Sequence, residues 1–342
     1  MALTKAFKTK DIRDTLAETG MKGKNITFLD DFKREQIMAL FQSAEMLEPF
    51  MRTGTNLLHG KLLYTLFFQP STRTRCSHEN AMHRLGGAVI TESDPLHNSS
   101  AAKNESLYDS LRVTSEYADV IVMRHPDDGQ ALSAIRDLGR DTSPIISGGY
   151  GHVTHPTQGL LDSYTCYRAF GDLQQVTVAI SSPDLSRARS GQSFALALAA
   201  MGARIVYTGT KDLRTPQIIR DKLAAMGARF EEHFDLNTKQ HEELFASVGA
   251  DLVYLPGCSV KKDDPQREDF MRKLANHYIS SEMLHNVKRK TGKVIGVHHS
   301  LPRNPGEMDM AIDGDEHQLY FKAIGFSVAL RMALLAAVVG VN

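Results

Sequence analysis

The stretch VTVAISSPDLSRARSGQSFALALAAMGARIVYT, residues 176–208, decides the fold class of this chain. Its first β-branched run spans Val176 to Ser181, a helical pattern follows near residues 190–200, and a second run spans Arg204 to Thr208. Neither run alternates polar with apolar side chains, which favours strands buried on both faces of a parallel sheet. Strand, helix and strand in this order are typical of a doubly wound α/β layer.

The same alternation continues on both sides of this stretch. Further strand-like runs lie at 87–91, 119–123, 251–255 and 293–297, and further helical patterns lie near 33–47, 106–117, 158–169 and 214–226. The runs form one group before about residue 125 and another after about residue 175, with SGGYGHVTHPTQGLLD, residues 147–162, between them. Open α/β sheets bind ligands outside the carboxyl ends of their strands. The sequence therefore predicts an α/β fold of two doubly wound parallel-sheet domains, with the active site in the interdomain cleft and the hinge at 147–162.

Composition argues against several classes of protein. The 342 residues carry 40 Lys and Arg against 40 Asp and Glu, unlike an overall basic nucleic-acid binder or an acidic tail protein. The first residues, MALTKAFKTKDIRDTL, lack the apolar region of a secretory signal, and Arg331 interrupts the apolar segment at 324–341, which favours a buried helix over a membrane span. The cysteines, Cys76, Cys166 and Cys258, are odd in number and far apart, so we expect no disulfide framework and a reducing cytoplasm.

The segment FFQPSTRTRCSHENAMHRLGG, residues 67–87, holds the strongest local signal for chemistry. Pro70 precedes and Gly86 follows a predicted helix, so the sequence STRTR at 71–75 crowds its first turn. Free N–H groups, hydroxyls and an arginine fork all suit phosphate oxygens. The same residues are also typical of a hydroxyl-capped helix with solvated arginines. Two cations at a helix start oppose its dipole unless an anion binds there, which favours a phosphate site.

Three further polar segments follow predicted strands or lie at the hinge. They contain Arg124 and His125 in VMRHPDDG, His155 and Gln158 in the hinge, and His298, His299 and Arg303 in VHHSLPR. Each alone is more often a strand-end turn with solvated polar groups, but together they converge on the ligand side of two sheets. His152 and His155 have a spacing found in metal ligands, yet no Cys or carboxylate framework completes a site, so we expect no metal and no cofactor.

These motifs resemble those of the aspartate/ornithine carbamoyltransferase family, and the aspartate branch more closely. STRTR, VMRHP, HPTQGLLD and LPR, at 71–75, 122–126, 155–162 and 301–303, occur in the family's order and approximate spacing, as do the later YF and RMALL. The resemblance runs from about residue 22 to the C-terminus. It implies a carbamoyl phosphate-binding domain at 22–160, completed by a C-terminal helix at 318–342, and an acceptor-binding domain at 170–312. It also implies transfer of the carbamoyl group to the amino group of an acidic amino acid, aspartate or a related acceptor, as in pyrimidine biosynthesis.

The resemblance also assigns roles to single residues. Carbamoyl phosphate binding is implied for Ser71, Thr72, Arg73, Thr74, Arg124, His155, Gln158 and Leu301. Among these, Thr74, Arg124 and His155 surround the carbamoyl oxygen as an oxyanion hole, and Gln158 contacts the amino group. The catalytic residues implied are Arg73, Thr74, Lys103, Arg124 and His155, and the acceptor-binding residues implied are Lys103, Arg189 and Pro302.

Lys103, with Ser99 beside it, matches the lysine that this family projects into a neighbouring subunit's site. The resemblance therefore implies a homotrimer with shared active sites. From the residues alone, the segment NSSAAKNES is more often a polar surface loop. Arg187 similarly competes with Arg189 for the acceptor role.

The acceptor side departs from the family. Where the aspartate branch has an arginine and a glutamine that hold carboxylates, this chain has Gly257 and Ser259, and neither forms a bidentate carboxylate contact. Lys261, Lys262 or Arg267 could compensate only through a different loop path, and the lysines would bind as point charges. Carbamoyl phosphate is therefore a better supported ligand than aspartate.

Further differences leave the acceptor open. Gln69 replaces a glutamate of the aspartate branch, Ser300 replaces the first proline of HPLPR, and the SMG signature of the ornithine branch is absent from the 250s loop. The acceptor is then aspartate, a related amino acid, or another amine or amide. A non-catalytic carbamoyl phosphate-binding homologue is a second interpretation. A nucleotide-using α/β enzyme is a third, against which the sequence contains no GxxxxGK[ST] and no early GxGxxG after a strand.

Overall fold

The computed structural model describes residues 11–139, 142–258 and 263–341 of the chain. Within these residues, parallel strands and helices alternate along the chain, as the α/β class requires. Strands β1 to β9 are Leu62–Phe67, Ala88–Glu92, Val120–His125, Ile145–Tyr150, Thr177–Ser181, Arg204–Gly209, Arg229–Phe234, Leu252–Leu255 and Gly296–His299. Helices α1 to α13 are Ile12–Glu18, Arg34–Leu47, Thr72–Arg84, Pro95–Asn98, Leu107–Ser115, Asp128–Leu138, Pro156–Phe170, Arg189–Ala200, Gln217–Ala225, Thr238–Ser247, Arg267–Asn276, Ser281–Thr291 and Tyr320–Val339.

These strands form two sheets in which every neighbouring pair is parallel. The first sheet has the order β2-β1-β3-β4, and the second has the order β7-β6-β5-β8-β9. The direction of winding reverses between β1 and β3 in the first sheet and between β5 and β8 in the second. Loops that leave the strands at such a point diverge and open a crevice at the carboxyl edge. The prediction of two doubly wound parallel sheets is confirmed.

Burial differs between the strands, and an edge position alone does not decide it, since the edge strands β4 and β9 are buried at every residue. β5 and β8 are buried at every residue, as their continuous apolar runs predict. β2 and β7 lie at sheet edges and are half-buried or exposed. The prediction that the run at 87–91 is buried on both faces is therefore wrong, because this run forms the edge strand β2.

Three strands are missing from the sequence prediction, and one is displaced. β7 reads RFEEHF, whose charged residues hide the apolar pattern, and β4 reads IISGGY, whose two glycines lower the strand propensity. β1 reads LLYTLF, and a second phenylalanine follows it directly, so the sequence does not mark where this strand ends. β9 begins at Gly296 rather than Lys293, because Lys293 and Val294 are exposed. The segment at 147–162, which the sequence predicts to be the hinge, contains the end of β4 and the start of α7.

The last helix, α13, returns from the second sheet to the first. It packs against α2, α3 and α7. The helix is long and apolar enough to cross a membrane, since its most apolar window has a mean hydropathy of 1.8. However, 61% of that window is buried inside the fold. Arg331 lies within this helix at 3% exposure, and burial lowers the pKa of its guanidinium to about 10. The helix is therefore a core element, as the interrupted apolar pattern predicts.

Helices α7 and α8 connect the two halves of the chain at close range. A Cβ atom at Gly159 of α7 would lie 2.6 Å from the carbonyl carbon of Ser193 of α8, so this approach requires a glycine. The Oγ of Ser193 also accepts a hydrogen bond of 2.8 Å from the backbone N–H of His155. The start of α7 is thus held in place by the second half of the chain.

Buried histidines make the stability of the fold depend on pH. Burial lowers the pKa of both His78 and His277 from 6.5 to about 3. Below about pH 6.5 the unfolded chain binds protons that the folded chain does not, so their contribution is complete above that pH and is lost towards pH 3. We expect each of these histidines to lower the free energy of unfolding by about 1 kcal/mol between about pH 6.5 and 5.5.

Urea unfolding followed by circular dichroism at a series of pH values measures this dependence. His277→Asn should flatten it, whereas the same change at the exposed His59 should leave it as it is. A free energy of unfolding that stays constant between about pH 7 and 5 contradicts the prediction.

Candidate active site

A cleft of about 900 Å³ lies at the carboxyl edges of both sheets. Its walls come from the ends of the strands, from the segments that follow them, and from the first turns of α3, α7 and α8. All the predicted donor and acceptor residues line it except Lys103: Ser71, Thr72, Arg73, Thr74, Arg124, His155, Gln158, Arg189, Leu301 and Pro302. Residues from five separate motifs thus meet in one cavity.

Arg73 lies in the first turn of α3, after the N-cap residue Ser71. Its Nη2 donates a hydrogen bond of 2.6 Å across the cleft to the carbonyl oxygen of Leu301. Arg75 instead forms an ion pair of 3.1 Å with Glu79, one turn further along the helix. One of the two cations at this helix start is therefore compensated within the helix itself. Only Arg73 of the two lines the cleft.

Arg124, at the end of β3, stands at the centre of a positively charged group. Its Nη1 donates to the carbonyl oxygen of Gly148 at 3.2 Å, and its buried Nε has no partner among the described residues. Burial, and then the charges of Arg189 and Arg73, lower the pKa of Arg124 to about 9. In the part of the chain that the structure describes, none of these three guanidinium groups forms an ion pair with a carboxylate. Such a group favours the binding of a multiply charged anion.

His155 caps the start of α7 beside the arginines. Its Nε2 lies 3.3 Å from Oγ1 of Thr74, and its Nδ1 lies 3.3 Å from Oγ1 of Thr157. Burial, followed by the charges of Arg124 and neighbouring cations, holds the pKa of His155 well below its usual 6.5. The imidazole is therefore neutral at physiological pH. In that state it can donate a hydrogen bond to a carbonyl oxygen, but it is a poor general base.

The side chain of Gln158 is oriented by a buried network centred on Asp162, a residue for which the sequence predicts no role. Its Nε2 donates to Oδ1 of Asp162 at 2.7 Å, and the hydroxyl of Tyr254 donates to Oδ2 of the same carboxylate at 2.6 Å. Nε2 of His298 lies 2.8 Å from Oδ1. Because the amide nitrogen is used in this way, the amide oxygen of Gln158 is left for a ligand. The signal in the sequence is the spacing of four residues between Gln158 and Asp162, which places both on one helix face.

The two arginines near the start of α8 have different partners. Nη1 of Arg189 donates to the carbonyl oxygen of Gly151 at 2.6 Å, and burial lowers the pKa of this guanidinium. Nε of Arg187 donates to Oδ2 of Asp184 at 2.7 Å, so its charge is already compensated. Arg189 is therefore the arginine of this pair that is available to an acceptor carboxylate.

The loop after β8 is fastened to the segment after β9. The carboxylate of Glu307 accepts hydrogen bonds from the backbone N–H groups of Cys258 and Asn304, at 2.6 and 2.5 Å, and lies 3.0 Å from Nε2 of His299. Gly257 lines the cleft with a φ of +75°, which favours glycine. This position therefore presents no side chain to a ligand. Residues 259–262 of the same loop, which include Ser259, Lys261 and Lys262, lie outside the described residues.

Gly149 is a site residue that the sequence motifs do not identify. Its φ is +114°, and a Cβ atom there would lie 3.4 Å from Nη1 of Arg124, Cζ of Arg189 and Cδ2 of His155. A side chain at this position would occupy the space between three groups of the cleft. The only signal is the Gly-Gly pair in SGGYGH, residues 147–152.

The remaining predicted residues lie in three different places. Lys103 ends a short exposed turn, Ser100–Lys103, and is not among the residues that line this chain's cleft. Arg267 begins α11 and does not line the cleft either. Gln69 lines it, with a buried Oε1 that has no partner among the described residues.

Sequence comparisons show the family of this chain. Residues 24–168 match the family model described as aspartate/ornithine carbamoyltransferase, carbamoyl-P binding domain. A ureidoglycine carbamoyltransferase from Rubrobacter xylanophilus is 46% identical over 340 residues, which cover 99% of this chain and 98% of that protein. An aspartate carbamoyltransferase catalytic subunit from Thermococcus kodakarensis is 36% identical over 94% of this chain and 98% of its own length.

Solved structures agree as well. The aspartate transcarbamoylase of Trypanosoma cruzi in complex with carbamoyl phosphate and aspartate has a TM-score of 0.78 and 29% identity, over 95% of this chain and 99% of that one. The catalytic subunit of the M. jannaschii aspartate transcarbamoylase has a TM-score of 0.75 and 34% identity, over 92% and 99% of the two chains. With its cleft, its motifs and these similarities taken together, the chain belongs to the aspartate/ornithine carbamoyltransferase family and is a transferase.

Proposed function

We propose that this chain transfers the carbamoyl group of carbamoyl phosphate to the amino group of ureidoglycine. The observation that carries the proposal is the charge of the cleft, where Arg73, Arg124 and Arg189 have no carboxylate partner among the described residues. A phosphate dianion and one acceptor carboxylate balance three guanidinium groups. Aspartate would bring a second carboxylate, and the described residues that line this chain's own cleft supply no further unpaired guanidinium or ammonium group to match it. The name of the Rubrobacter xylanophilus relative points to the same acceptor.

The donor is held by the first turn of α3 and by Arg124. The N–H groups and hydroxyls of this turn, at 71–74, and the guanidinium of Arg73 bind the phosphate. Thr74, Arg124 and neutral His155 donate hydrogen bonds to the carbamoyl oxygen. The carbonyl oxygen of Leu301 and the amide oxygen of Gln158 accept from the carbamoyl amino group.

Transfer then requires one bond to form and one to break. The unprotonated amine of the acceptor attacks the carbamoyl carbon, and the oxyanion of the tetrahedral intermediate is stabilised by Thr74, Arg124 and His155. The carbon–oxygen bond to phosphate breaks as the carbonyl reforms. A phosphate oxygen takes the proton of the amine, because His155 is poorly suited as a base. The products are the N-carbamoyl compound and phosphate.

The acceptor end of the cleft suits a neutral ureido group. Arg189 binds the acceptor's carboxylate, while Gly257 offers no side chain to a second one. Ser300, Asn304 and Asp264 also line the cleft. Hydroxyl and amide groups can exchange hydrogen bonds with a ureido group, and the carboxylate of Asp264 would repel a second acceptor carboxylate.

Domain roles and assembly belong to the same proposal. Residues 22–160, with the C-terminal helix at 318–342, bind the donor. Residues 170–312, which include Pro302, bind the acceptor together with the Lys103 of a neighbouring subunit. This sharing makes a homotrimer the minimal active unit. The cysteines of the described residues are free, in keeping with a reducing compartment such as the cytoplasm.

Aspartate is the second candidate acceptor. It is favoured by the solved complex from Trypanosoma cruzi, which contains carbamoyl phosphate and aspartate. Its second carboxylate would need a cation from Lys261 or Lys262, which lie outside the described residues. This reaction would place the chain in pyrimidine biosynthesis.

Phosphate release from carbamoyl phosphate, with the carbamoylated product identified by mass spectrometry, tests the proposal. We expect kcat/KM for ureidoglycine to exceed that for aspartate, ornithine and glycinamide by about a hundredfold or more. Arg189→Ala should raise the KM for ureidoglycine, and Arg187→Ala, a matched change at a compensated arginine, should raise it much less.

Two outcomes would overturn the proposal. A higher kcat/KM for aspartate would establish an aspartate carbamoyltransferase whose loop at 259–262 supplies the missing cation. Binding of carbamoyl phosphate without turnover on any of these amines would establish a non-catalytic homologue.

A further inference from the structure

A cluster of metal-binding side chains lies outside the cleft, where α12 meets the segment before α13. Its members are His285, Asp315, Glu316 and His317, and one ligand atom from each lies within 4.8 Å of the others. Nε2 of His285 is 3.8 Å from Oδ2 of Asp315, and Nε2 of His317 is 3.8 Å from Oδ1 of the same carboxylate. The two imidazoles therefore flank one carboxylate.

Backbone carbonyl groups fix the orientation of both imidazoles. Nδ1 of His285 donates to the carbonyl oxygen of Ser281 at 2.7 Å, and Nδ1 of His317 donates to that of Ile295 at 2.6 Å. With the proton on Nδ1, each ring turns the lone pair of Nε2 towards Asp315. Metal-binding histidines are held in this way, with the second ring nitrogen donating to a carbonyl or carboxylate.

His317 supplies an independent observation. The residue is completely buried, and its Nε2 has no hydrogen-bond partner among the described residues. If Nε2 is unprotonated, its lone pair is buried without a donor. If it is protonated, the distance of 3.8 Å to Asp315 is too long for a hydrogen bond. A cation between the two atoms would satisfy both groups.

The surroundings of the cluster support the same conclusion. The hydroxyl of Ser281 donates to Oδ2 of Asp315 at 3.1 Å, which orients the carboxylate. Glu316 is paired with Lys288 at 2.5 Å and is half-exposed, so it could exchange this partner for another. Imidazole and carboxylate together suit Zn²⁺ and similar transition metals better than Mg²⁺ or Ca²⁺.

We propose that His285, Asp315 and His317 bind a divalent transition-metal ion of the Zn²⁺ class, with Glu316 or water as a further ligand. Tetrahedral Zn²⁺ with N and O ligands separates them by about 3.4 Å, so ligand atoms that lie within 4.8 Å of one another would need to approach by no more than about 1.4 Å. The ion joins α12 to the segment that leads into α13. It lies outside the residues that line the cleft, so it stabilises this part of the fold rather than taking part in transfer.

Calorimetric titration of chelator-treated protein with Zn²⁺ tests the site. We expect about one ion per chain and a rise in the melting temperature when it is bound. His285 is half-exposed, so His285→Ala is suited to keep the fold and should weaken binding at least about tenfold. Asp315→Asn should do the same without changing the size of the side chain. His59→Ala, at an exposed histidine elsewhere, should leave binding unchanged.

Co²⁺ as a probe separates this site from binding by a cysteine. Ligation by nitrogen and oxygen gives a visible d–d spectrum without the thiolate charge-transfer band, and that spectrum should be lost in His285→Ala. Three results would overturn the proposal: no Zn²⁺ binding to the wild-type chain, binding to His285→Ala and Asp315→Asn that is as tight as binding to the wild-type chain, or a thiolate band.

Discussion

Replacing Arg73 with alanine is expected to lower kcat/KM for carbamoyl transfer by about a thousandfold or more. Arg73 is the arginine of the first turn of α3 that lines the cleft, and it forms no ion pair with a carboxylate of the described residues. Without it, the phosphate loses a charge-assisted donor both in the bound donor and as charge develops on the leaving group. Phosphate release at saturating acceptor measures the loss.

Arg75 offers a matched control two residues away. Its guanidinium is paired with Glu79 and does not line the cleft, so Arg75→Ala should reduce activity much less than Arg73→Ala. Arg73→Lys should restore only part of the activity, because a lysine cannot form a bidentate contact with phosphate. Equal activities for Arg73→Ala and the unchanged chain would exclude the phosphate site at α3.

Mixing two inactive variants is expected to restore activity if the active sites are shared between subunits. Lys103→Ala removes a residue that its own chain does not place in the cleft, whereas Arg73→Ala damages the cleft itself. In randomly mixed trimers, about a quarter of the sites combine an intact Arg73 with an intact Lys103 from the neighbour. Co-expressing the two variants should therefore recover about a quarter of the wild-type activity.

The control is a mixture in which both changes affect the same cleft. Arg73 and Arg124 line one chain's cleft together, so no combination of Arg73→Ala and Arg124→Ala chains contains an intact site. This mixture should stay inactive. Full activity of Lys103→Ala alone, or equal recovery in both mixtures, would contradict a role for Lys103 across subunits.

The fold class follows from local sequence where strands are fully buried. The run at 176–181 and the helical pattern at 190–200 are found as β5 and α8 within one residue at either end. Apolar runs mark central strands, because both faces are covered. The sequence does not predict β7, because an edge strand tolerates the charged residues of RFEEHF. It does not predict β4, because the two glycines of that strand lower its strand propensity.

The motifs likewise identify most residues that line the cleft, but not their partners. Local sequence shows a cation at 73 and another at 75, and the spacing of four residues between Arg75 and Glu79 allows an ion pair on one helix face. The fold shows that this pair forms and that Asp184 neutralises Arg187. Hydrogen-bond partners that are distant in sequence, such as Tyr254 and Asp162, also follow from the packing of two sheets.

The amino-acid sequence is enough to give the class of fold, the donor motifs and the lack of a carboxylate-binding side chain at Gly257. Each of these depends on residue type and short-range spacing. Only the packed fold brings Arg73, Arg124 and Arg189 together in one cleft without a carboxylate partner among the described residues. It also brought His285 within reach of His317, although the sequence predicts no metal site. The reason is physical: charge balance and metal coordination depend on distances between side chains, and those distances are set when separate strands and helices pack together.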